Sequence, residues 1–187
     1  MNITDYFYNT DQINQEEYIL DLIKSNEIYF IRNRFNFQWI GVPKEKIIKD
    51  ILEKYVNEDN FLNHIDKFIK PYGKLELFKF PPMTQYDWHV DTYNKCNFNL
   101  VFEHYNSFSL FKTKEEDSNN NDLHFSNFNI ISLNYVPKTW YLFNAQLEHT
   151  VINLDEKVRY LLSYTVHKDC PLSYQQILEI VQDFQNF

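Results

Sequence analysis

Glycine is scarce in this chain, and its scarcity excludes two common kinds of phosphate site. Only Gly41 and Gly73 occur among the 187 residues. The G-x-G-x-x-G dinucleotide fingerprint and the G-x-x-x-x-G-K-S/T phosphate loop need glycines at fixed spacings, because the backbone must approach the phosphates closely. Two isolated glycines cannot build either motif, so the sequence argues against nucleotide-binding folds of these kinds.

Cysteine, basic clusters and long apolar runs are also few or missing. Cys96 and Cys170 are the only cysteines and stand in unrelated contexts, so a disulfide framework is not expected. The formal net charge of −8 argues against sequence-independent nucleic-acid binding, which needs a basic surface. No secretory signal opens the chain, and no apolar run approaches the roughly 20 residues of a membrane span. We therefore expect a cytoplasmic protein that binds neither nucleic acid nor a membrane.

Hydrophobic residues make up 44% of the chain, which is enough for a proper core, and the length suits a single domain over 1–187. Within residues 1–72, apolar side chains recur at the spacing of amphipathic helices. Pro43 favours a helix start, and Pro71 marks the end of a later helix. We predict a mainly helical support here, from three apolar stripes: Tyr18, Ile19, Leu22 and Ile23; Ile47, Ile48, Ile51, Leu52 and Tyr55; and Leu62, Ile65, Phe68 and Ile69.

From Leu75 onward, short runs of β-forming residues alternate with turns, a pattern typical of a sandwich or barrel with Greek-key connections. Residues 73–168 are predicted to form this β core, and residues 169–187 a closing amphipathic helix. The polar stretch 112–122 is predicted to be a solvated loop, with a mobile lid over the site as the alternative. The predicted strands are Leu75–Phe80, Asn97–Tyr105, Phe108–Lys112, Leu123–Ile131, Trp140–Asn144, His149–Asn153 and Arg159–Val166.

His89 and Asp91 form an H-x-D pair, followed far downstream by His149 and Arg159 in the spacing H-x9-R. Two imidazoles and one carboxylate are the ligands of the facial triad that holds non-haem Fe(II) and leaves one side of the metal open. Residues two apart in a strand project to the same face, so His89 and Asp91 can converge on one metal. By the same rule Arg159 and Ser163 share a face. An arginine on an interior face needs an anionic partner, since an unpaired buried charge is very costly.

Each of these residues has a simpler explanation when it is considered alone. An H-x-D pair is unsurprising in an acidic chain with six histidines, and His149 is as easily a hydrogen-bonded core histidine. Arg159 equally suits a surface strand position, where it pairs with Asp155 or Glu156. The joint pattern is much harder to explain by chance, because four residues must occur in the right order on separate strands. It therefore favours a metal site.

The stretches around these residues resemble the Fe(II)- and 2-oxoglutarate-dependent oxygenases, in particular the small prolyl-hydroxylase-like and phage-encoded members. The resemblance spans about residues 75–166, half of the chain. Its matching segments are FPPMTQYDWHVD ending at Asp91, KCNFNL ending at Leu100, YLFNAQLEHTVIN ending at Asn153 and RYLLS ending at Ser163. The family implies an α+β fold, in which a double-stranded β-helix (a jelly-roll, cupin-like core) is flanked by N-terminal helices and a C-terminal helix.

The resemblance also implies a role for each matching residue. His89, Asp91 and His149 correspond to the iron ligands. Arg159 corresponds to the basic residue that receives the far carboxylate of 2-oxoglutarate, and Ser163 on its face is a second candidate contact. These residues would together hold the metal and the co-substrate.

One departure from the family pattern concerns the co-substrate. The related prolyl hydroxylases carry a tyrosine on the strand before the H-x-D pair, and this tyrosine reaches 2-oxoglutarate. Here the position falls near Lys79 or Phe80. Asn97 and Asn99 are candidate polar contacts instead, so the second hydrogen-bond donor to 2-oxoglutarate stays open.

The implied activity couples oxidation of a substrate, most simply its hydroxylation, to decarboxylation of 2-oxoglutarate to succinate. It needs Fe(II), 2-oxoglutarate and O2, with ascorbate as an auxiliary reductant. Asp91 favours hydroxylation, since the related halogenases carry a small residue there to make room for chloride. Two other functions stay open: a catalytically silent jelly-roll binding module, and a metal-dependent cupin enzyme that does not use 2-oxoglutarate. The substrate is not ranked, because a protein side chain, an amino acid or a small metabolite all fit.

Overall fold

The part of the chain that the structure describes contains eleven strands, three α-helices and a short 3-10 helix at Ile3–Asp5. This computed structural model describes residues 2–13, 31–32, 38–40, 46–103, 106–114 and 128–186. The helices are α1 (Lys46–Glu58), α2 (Asn60–Ile69) and α3 (Tyr174–Gln185). The strands are β1 (Phe7–Ile13), β2 (Ile31–Arg32), β3 (Gln38–Ile40), β4 (Gly73–Phe80), β5 (Thr84–His89), β6 (Asn94–Val101), β7 (Ser107–Lys114), β8 (Phe128–Leu133), β9 (Thr139–Phe143), β10 (His149–Asn153) and β11 (Arg159–His167).

The strands form two antiparallel sheets that pack face to face. A seven-stranded sheet has the order β1-β9-β6-β11-β4-β3-β2, and a four-stranded sheet has the order β5-β10-β7-β8. Between the sheets, Leu161 and Phe80 of the larger sheet pack with Tyr86 and Val151 of the smaller one. This arrangement confirms the expected α+β fold with a double-stranded β-helix core.

The helices cover the outer face of the seven-stranded sheet and build the larger core there. Along β11, Leu162 and Tyr164 point outward into this core, together with Phe61 of α2 and Ile177 of α3. Leu161 points the other way, into the space between the sheets. The alternation expected for this strand is therefore confirmed, because one sheet face meets helices and the other meets the second sheet. None of the helices described is long and apolar enough to span a membrane.

Asp59 shows how the sequence begins a helix and fastens it to the sheet. Its carboxylate accepts a hydrogen bond from the backbone N–H of Leu62, at 2.8 Å, and thereby caps the first turn of α2. The same carboxylate accepts a hydrogen bond from Nε1 of the buried Trp140 on β9, at 3.2 Å. One side chain thus sets both the start of the helix and its position on the sheet.

The first 72 residues contain strands as well as the predicted helices. The stripes that begin at Ile47 and at Leu62 lie in α1 and α2. The stripe Tyr18, Ile19, Leu22 and Ile23 lies outside the described residues. Three strands were missed, because β1 pairs with β9 and β3 pairs with β4, and such distant pairing leaves no local signal in the sequence.

The polar stretch 112–122 begins inside a strand and not in a loop. β7 continues through Lys114, where it pairs with Phe128 at the start of β8. Lys112 and Thr113 take part in this pairing although they are polar, since a sheet ladder satisfies the backbone whatever the side chain. Residues 115–127, which include the remainder of the predicted loop and the start of the strand predicted at 123–131, lie outside the described residues.

Candidate metal centre

His89, Asp91 and His149 lie together at one end of the space between the sheets. His89 ends β5 and His149 begins β10, and the two are direct partners in the antiparallel ladder. Asp91 follows two residues after His89. One ligand atom from each of the three side chains lies within 4.8 Å of the others, and Nε2 of His89 is 3.4 Å from Oδ1 of Asp91. The structure therefore brings the predicted ligand set into one cluster.

Backbone carbonyls orient both imidazole rings in the same way. Nδ1 of His89 lies 2.7 Å from the carbonyl oxygen of Asp87, and Nδ1 of His149 lies 2.8 Å from that of Leu147. Each ring can donate its Nδ1–H to the carbonyl two residues earlier, which leaves Nε2 with a free lone pair. This arrangement is typical of metal-binding histidines, because the outer hydrogen bond sets the tautomer and the ring angle.

The Asp91 carboxylate is held by its neighbours so that one oxygen faces His89. Its other oxygen, Oδ2, accepts hydrogen bonds from Nδ2 of Asn94 and of Asn97, at 3.3 and 3.4 Å. The backbone around it is also fixed, since Gln146 Nε2 donates to the carbonyl oxygen of Asp91 at 2.9 Å. These hydrogen bonds therefore hold Asp91, in the segment after β5, in a fixed position from which it can bind a metal.

The electrostatics of the cluster favour the protonation states that bind a metal. Burial raises the pKa of Asp91, but its hydrogen bond with His89 and the charges of His149 and His89 outweigh that effect, so the pKa lies below its usual value. Burial, followed by the charge of His89, lowers the pKa of His149 to about 4, against the opposing effect of Asp91. Near neutral pH the site thus offers a carboxylate and a neutral imidazole, as metal binding requires.

A cavity of about 240 Å³ opens from the cluster into the space between the sheets. His89, Asp91 and His149 line one end of it, and Phe80 and Leu161 line another part. A larger cavity of about 550 Å³ lies beside α1 and α2 and is lined by none of the three metal candidates. The smaller cavity is therefore the one that matters for chemistry at the cluster.

Arg159 lies at the end of the strands opposite the cluster. It begins β11, is fully buried, and pairs in the ladder with Phe80 of β4. Its guanidinium carbon is 5.3 Å from the ring centroid of Phe80 and 5.0 Å from that of Tyr135. Both rings line the cavity, so the buried guanidinium lies directly behind the part of the cavity wall that these rings form. The interior position expected for Arg159 is what the structure shows.

A chain of hydrogen bonds runs along the cavity wall near Arg159. Ser163 Oγ donates to Asn99 Oδ1 at 2.7 Å, and Asn99 Nδ2 donates to the Tyr135 hydroxyl at 3.3 Å. The Tyr135 hydroxyl is also 3.3 Å from Ser109 Oγ. All four residues line the cavity. Ser163 and Asn99 were singled out from the sequence, and the structure brings them together at this wall.

Three further residues of the site were not found from the sequence. Tyr135 lies between β8 and β9, where no periodicity assigns a side chain to a face. Ser109 lies in a predicted strand, and Glu76 in another, but only the strand register places them toward the cavity. Glu76 could have been found from its spacing to Phe80 along β4, because residues separated by an even number of positions in a strand lie on the same face.

Asn97 carries a free acceptor beside the cluster. Its Nδ2 is bonded to Asp91, whereas its Oδ1 is buried and has no hydrogen bond within the described part of the chain. A buried acceptor of this kind is costly unless a water molecule or a ligand donates to it. The donor set, two imidazoles and one carboxylate, therefore suits a divalent metal that brings its own water.

No protein-family model and no curated protein matches this sequence. Among solved structures, a Pseudomonas putida prolyl-4-hydroxylase superposes with a TM-score of 0.54 at 11% identity, over 88% of this chain and 94% of that chain. A 2OG-Fe(II) oxygenase family oxidoreductase from Burkholderia pseudomallei gives 0.48 at 9% identity, over 75% and 64%. A Drosophila melanogaster CENP-C cupin domain gives 0.40 at 12% identity, over 75% and 77%. At these identities the likeness concerns the fold alone, which hosts unrelated functions.

Proposed function

We propose that the protein is an Fe(II)- and 2-oxoglutarate-dependent oxygenase that hydroxylates its substrate. The observation that carries the proposal is the His89, Asp91 and His149 cluster at one end of a cavity whose other end is backed by the buried Arg159. A metal needs the first feature, and a dicarboxylate that binds the metal by one end needs the second. Few other functions require both in one small cavity.

The ligand set suits Fe(II) with one side left open. Two histidines and one carboxylate are the facial triad of non-haem iron oxygenases. When bound, the iron supplies the oxidising chemistry, in which a substrate C–H, O2 and 2-oxoglutarate give an alcohol, succinate and CO2. One oxygen atom of O2 enters the alcohol and the other enters succinate, so no further reductant is consumed in a coupled turnover. The residues of this chain would hold the reactants at the metal.

The wall near Arg159 suits the far carboxylate of 2-oxoglutarate. A carboxylate at this end of the cavity meets the positive field of the guanidinium and the hydroxyl of Tyr135. A charge buried away from water acts more strongly than the same charge at a surface. We infer that Tyr135 supplies the second hydrogen bond that the sequence left open, with Asn99 and Ser109 holding its hydroxyl in place.

Spectroscopy without oxygen tests the proposal directly. Addition of 2-oxoglutarate to the Fe(II)-loaded protein under anaerobic conditions is expected to produce a visible charge-transfer band, and admission of air is expected to produce succinate. Fe(II) protein without 2-oxoglutarate is the control for both signals. Absence of the band together with absence of succinate would refute the proposal. A tightly bound metal without either signal would instead favour the metal-dependent cupin enzyme.

Replacement of Tyr135 by phenylalanine is expected to weaken 2-oxoglutarate binding about tenfold or more, because a hydrogen bond to a charged group contributes about 1.5–3 kcal/mol. Fe(II) binding should not change, since Tyr135 does not belong to the metal cluster. The matched variant is Tyr141→Phe, whose hydroxyl accepts a hydrogen bond from the Val136 backbone and does not line the cavity. An equal loss in both variants would mean that Tyr135 acts only through the position of its loop.

A further inference from the structure

We infer that Glu76 makes the cavity selective for substrates that carry an ammonium or guanidinium group, such as a lysine or arginine side chain. The inference rests on the proposed function, because it concerns what enters the same cavity. Glu76 belongs neither to the metal cluster nor to the hydrogen-bond chain beside Arg159. The inference is drawn from the position of Glu76 in the fold and from its negative charge.

Glu76 lines the same cavity from β4, a strand that holds neither a metal candidate nor a member of the hydrogen-bond chain beside Arg159. Its strand, β4, flanks β11 on one side, and β6 with Asn99 flanks β11 on the other. In the ladders Glu76 pairs with Ser163, and Ser163 pairs with Asn99. The carboxylate therefore enters the cavity two strands away from Asn99 and its partner Tyr135. A group bound at Glu76 would therefore lie beside Ser163 and two strands from the Asn99 end of the hydrogen-bond chain.

Burial of the Glu76 carboxylate costs free energy unless a positive group pairs with it. The residue is 7% exposed, and within the described lining Glu76 and Asp91 are the carboxylates. A buried carboxylate is tolerated only when it is paired and hydrogen-bonded. Its partner is Lys74, whose Nζ donates to Glu76 Oε1. A hydrophobic residue would fill this interior strand position without the free-energy cost of burying a charge. Packing alone therefore does not explain why a carboxylate is present here.

Lys74 is placed so that another cation can take over its contact with Glu76. The lysine side chain is 42% exposed, whereas that of Glu76 is 8% exposed. Lys74 does not line the cavity itself, and its more exposed ammonium can be exchanged for another cation, because a lysine head is strongly hydrated on a flexible stem. A substrate cation that enters the cavity would replace it at the same carboxylate. The exchange keeps Glu76 paired throughout, so no buried charge is left alone.

The charge of the chain favours the same class of substrate. A formal net charge of −8 attracts cations and repels anions at long range. Inside the cavity, an acidic substrate group beside Glu76 would meet like charge, which opposes its binding at close range in a partly buried site. A neutral substrate would leave the pairing with Lys74 as it is and gain nothing from Glu76.

Binding measurements on the anaerobic Fe(II) and 2-oxoglutarate complex test the inference without turnover. The probes are L-lysine with its neutral analogue L-norleucine, and L-arginine with L-citrulline, each as the free amino acid and as the N-acetyl amide. Calorimetry and the change in the charge-transfer band both report binding. We expect the cationic probes to bind at least about tenfold more tightly than the neutral ones. Comparison of free and blocked forms distinguishes an amino acid from a peptide as the source of the cation.

Two variants with opposite expected effects separate recognition from a folding defect. Glu76→Gln should abolish the preference for the cationic probes and leave 2-oxoglutarate binding unchanged. Lys74→Met should strengthen binding of the same probes, because it removes the competing cation. The matched control is Glu148→Gln, which breaks a lysine–glutamate pair with Lys112 outside the cavity and should change neither affinity.

The outcomes distinguish this inference from the proposed function. A charge-transfer band with equal binding of cationic and neutral probes would overturn the role of Glu76 and leave the oxygenase proposal standing. If neither the band nor succinate forms, the oxygenase proposal fails, and calorimetry of the metal-loaded protein still decides whether Glu76 prefers a cation. A preference that survives in Glu76→Gln would also overturn the inference, because its source would lie elsewhere.

Discussion

Replacement of Asp91 by alanine is expected to abolish 2-oxoglutarate-dependent succinate formation and to weaken Fe(II) binding by more than about 100-fold, since even residues outside the ligand shell cost 10–100-fold. Asp91 supplies the carboxylate of the His–Asp–His cluster. Without it, two neutral imidazoles face a divalent cation with no anion to offset its charge. Equilibrium dialysis against Fe(II) under anaerobic conditions measures the affinity, and succinate in air measures the turnover.

The matched control is Asp87→Ala, which removes an exposed carboxylate from β5, the strand just before Asp91. Asp87 orients His89 through its backbone carbonyl, and this carbonyl is retained in the variant. Iron affinity and turnover should therefore stay close to those of the original protein. Thermal denaturation of both variants shows whether the fold is intact. Wild-type iron affinity in Asp91→Ala would remove the metal assignment.

Replacement of Arg159 by alanine is expected to raise the Kd for 2-oxoglutarate by at least about 30-fold, because loss of one partner of a buried charge pair costs about 2–5 kcal/mol. Fe(II) binding should persist, since Arg159 lies at the opposite end of the strands from the cluster. Arg159→Lys keeps the charge but loses the planar fork that matches a carboxylate, so an intermediate loss is expected. Titration of the charge-transfer band with 2-oxoglutarate measures each Kd.

Lys157→Ala is the control for loss of a positive charge near this strand. Lys157 is exposed and lies two residues before Arg159, so 2-oxoglutarate affinity should not change. Arg159→Met fills part of the buried volume and separates loss of charge from loss of packing against Phe80 and Tyr135. Unchanged 2-oxoglutarate affinity in both Arg159 variants would contradict the co-substrate assignment and favour a cupin enzyme that binds metal alone.

The metal cluster could be predicted from the sequence because its geometry is mostly local. His89 ends β5 and Asp91 lies two residues beyond it, so their short separation along the chain keeps both side chains close to one point. The sequence also predicted the strand that His149 begins. The sequence could not predict that His149 lies directly across the ladder from His89, since the register of two strands depends on the packing of both sheets.

The cavity-lining residues outside the metal cluster were harder to predict from the sequence. Tyr135 lies outside any strand, and its place is set by hydrogen bonds with Asn99 and Ser109 and by contact with the ring of Tyr141. Glu76 lies in a strand that was predicted, but from the sequence alone a glutamate in that strand is expected to be exposed to solvent. Only the pairing of the strand with its neighbours shows that the side chain is buried. The N-terminal strand β1 was missed for the same reason, because its partner β9 is far away in the chain.

Local chemistry therefore determined which residues of this protein are able to bind a metal, most of its helices and core strands, and which positions alternate along β11, but not β1, β2, β3 or β5. The pairing of distant strands decided which of these side chains meet. It placed Arg159 behind the rings of Phe80 and Tyr135 that line the cavity, and it placed Glu76, paired with Lys74, in the cavity lining. The physical reason is that a side chain's face is set by spacing along its own strand, whereas its neighbours are set by strand register and sheet packing, which involve the whole chain.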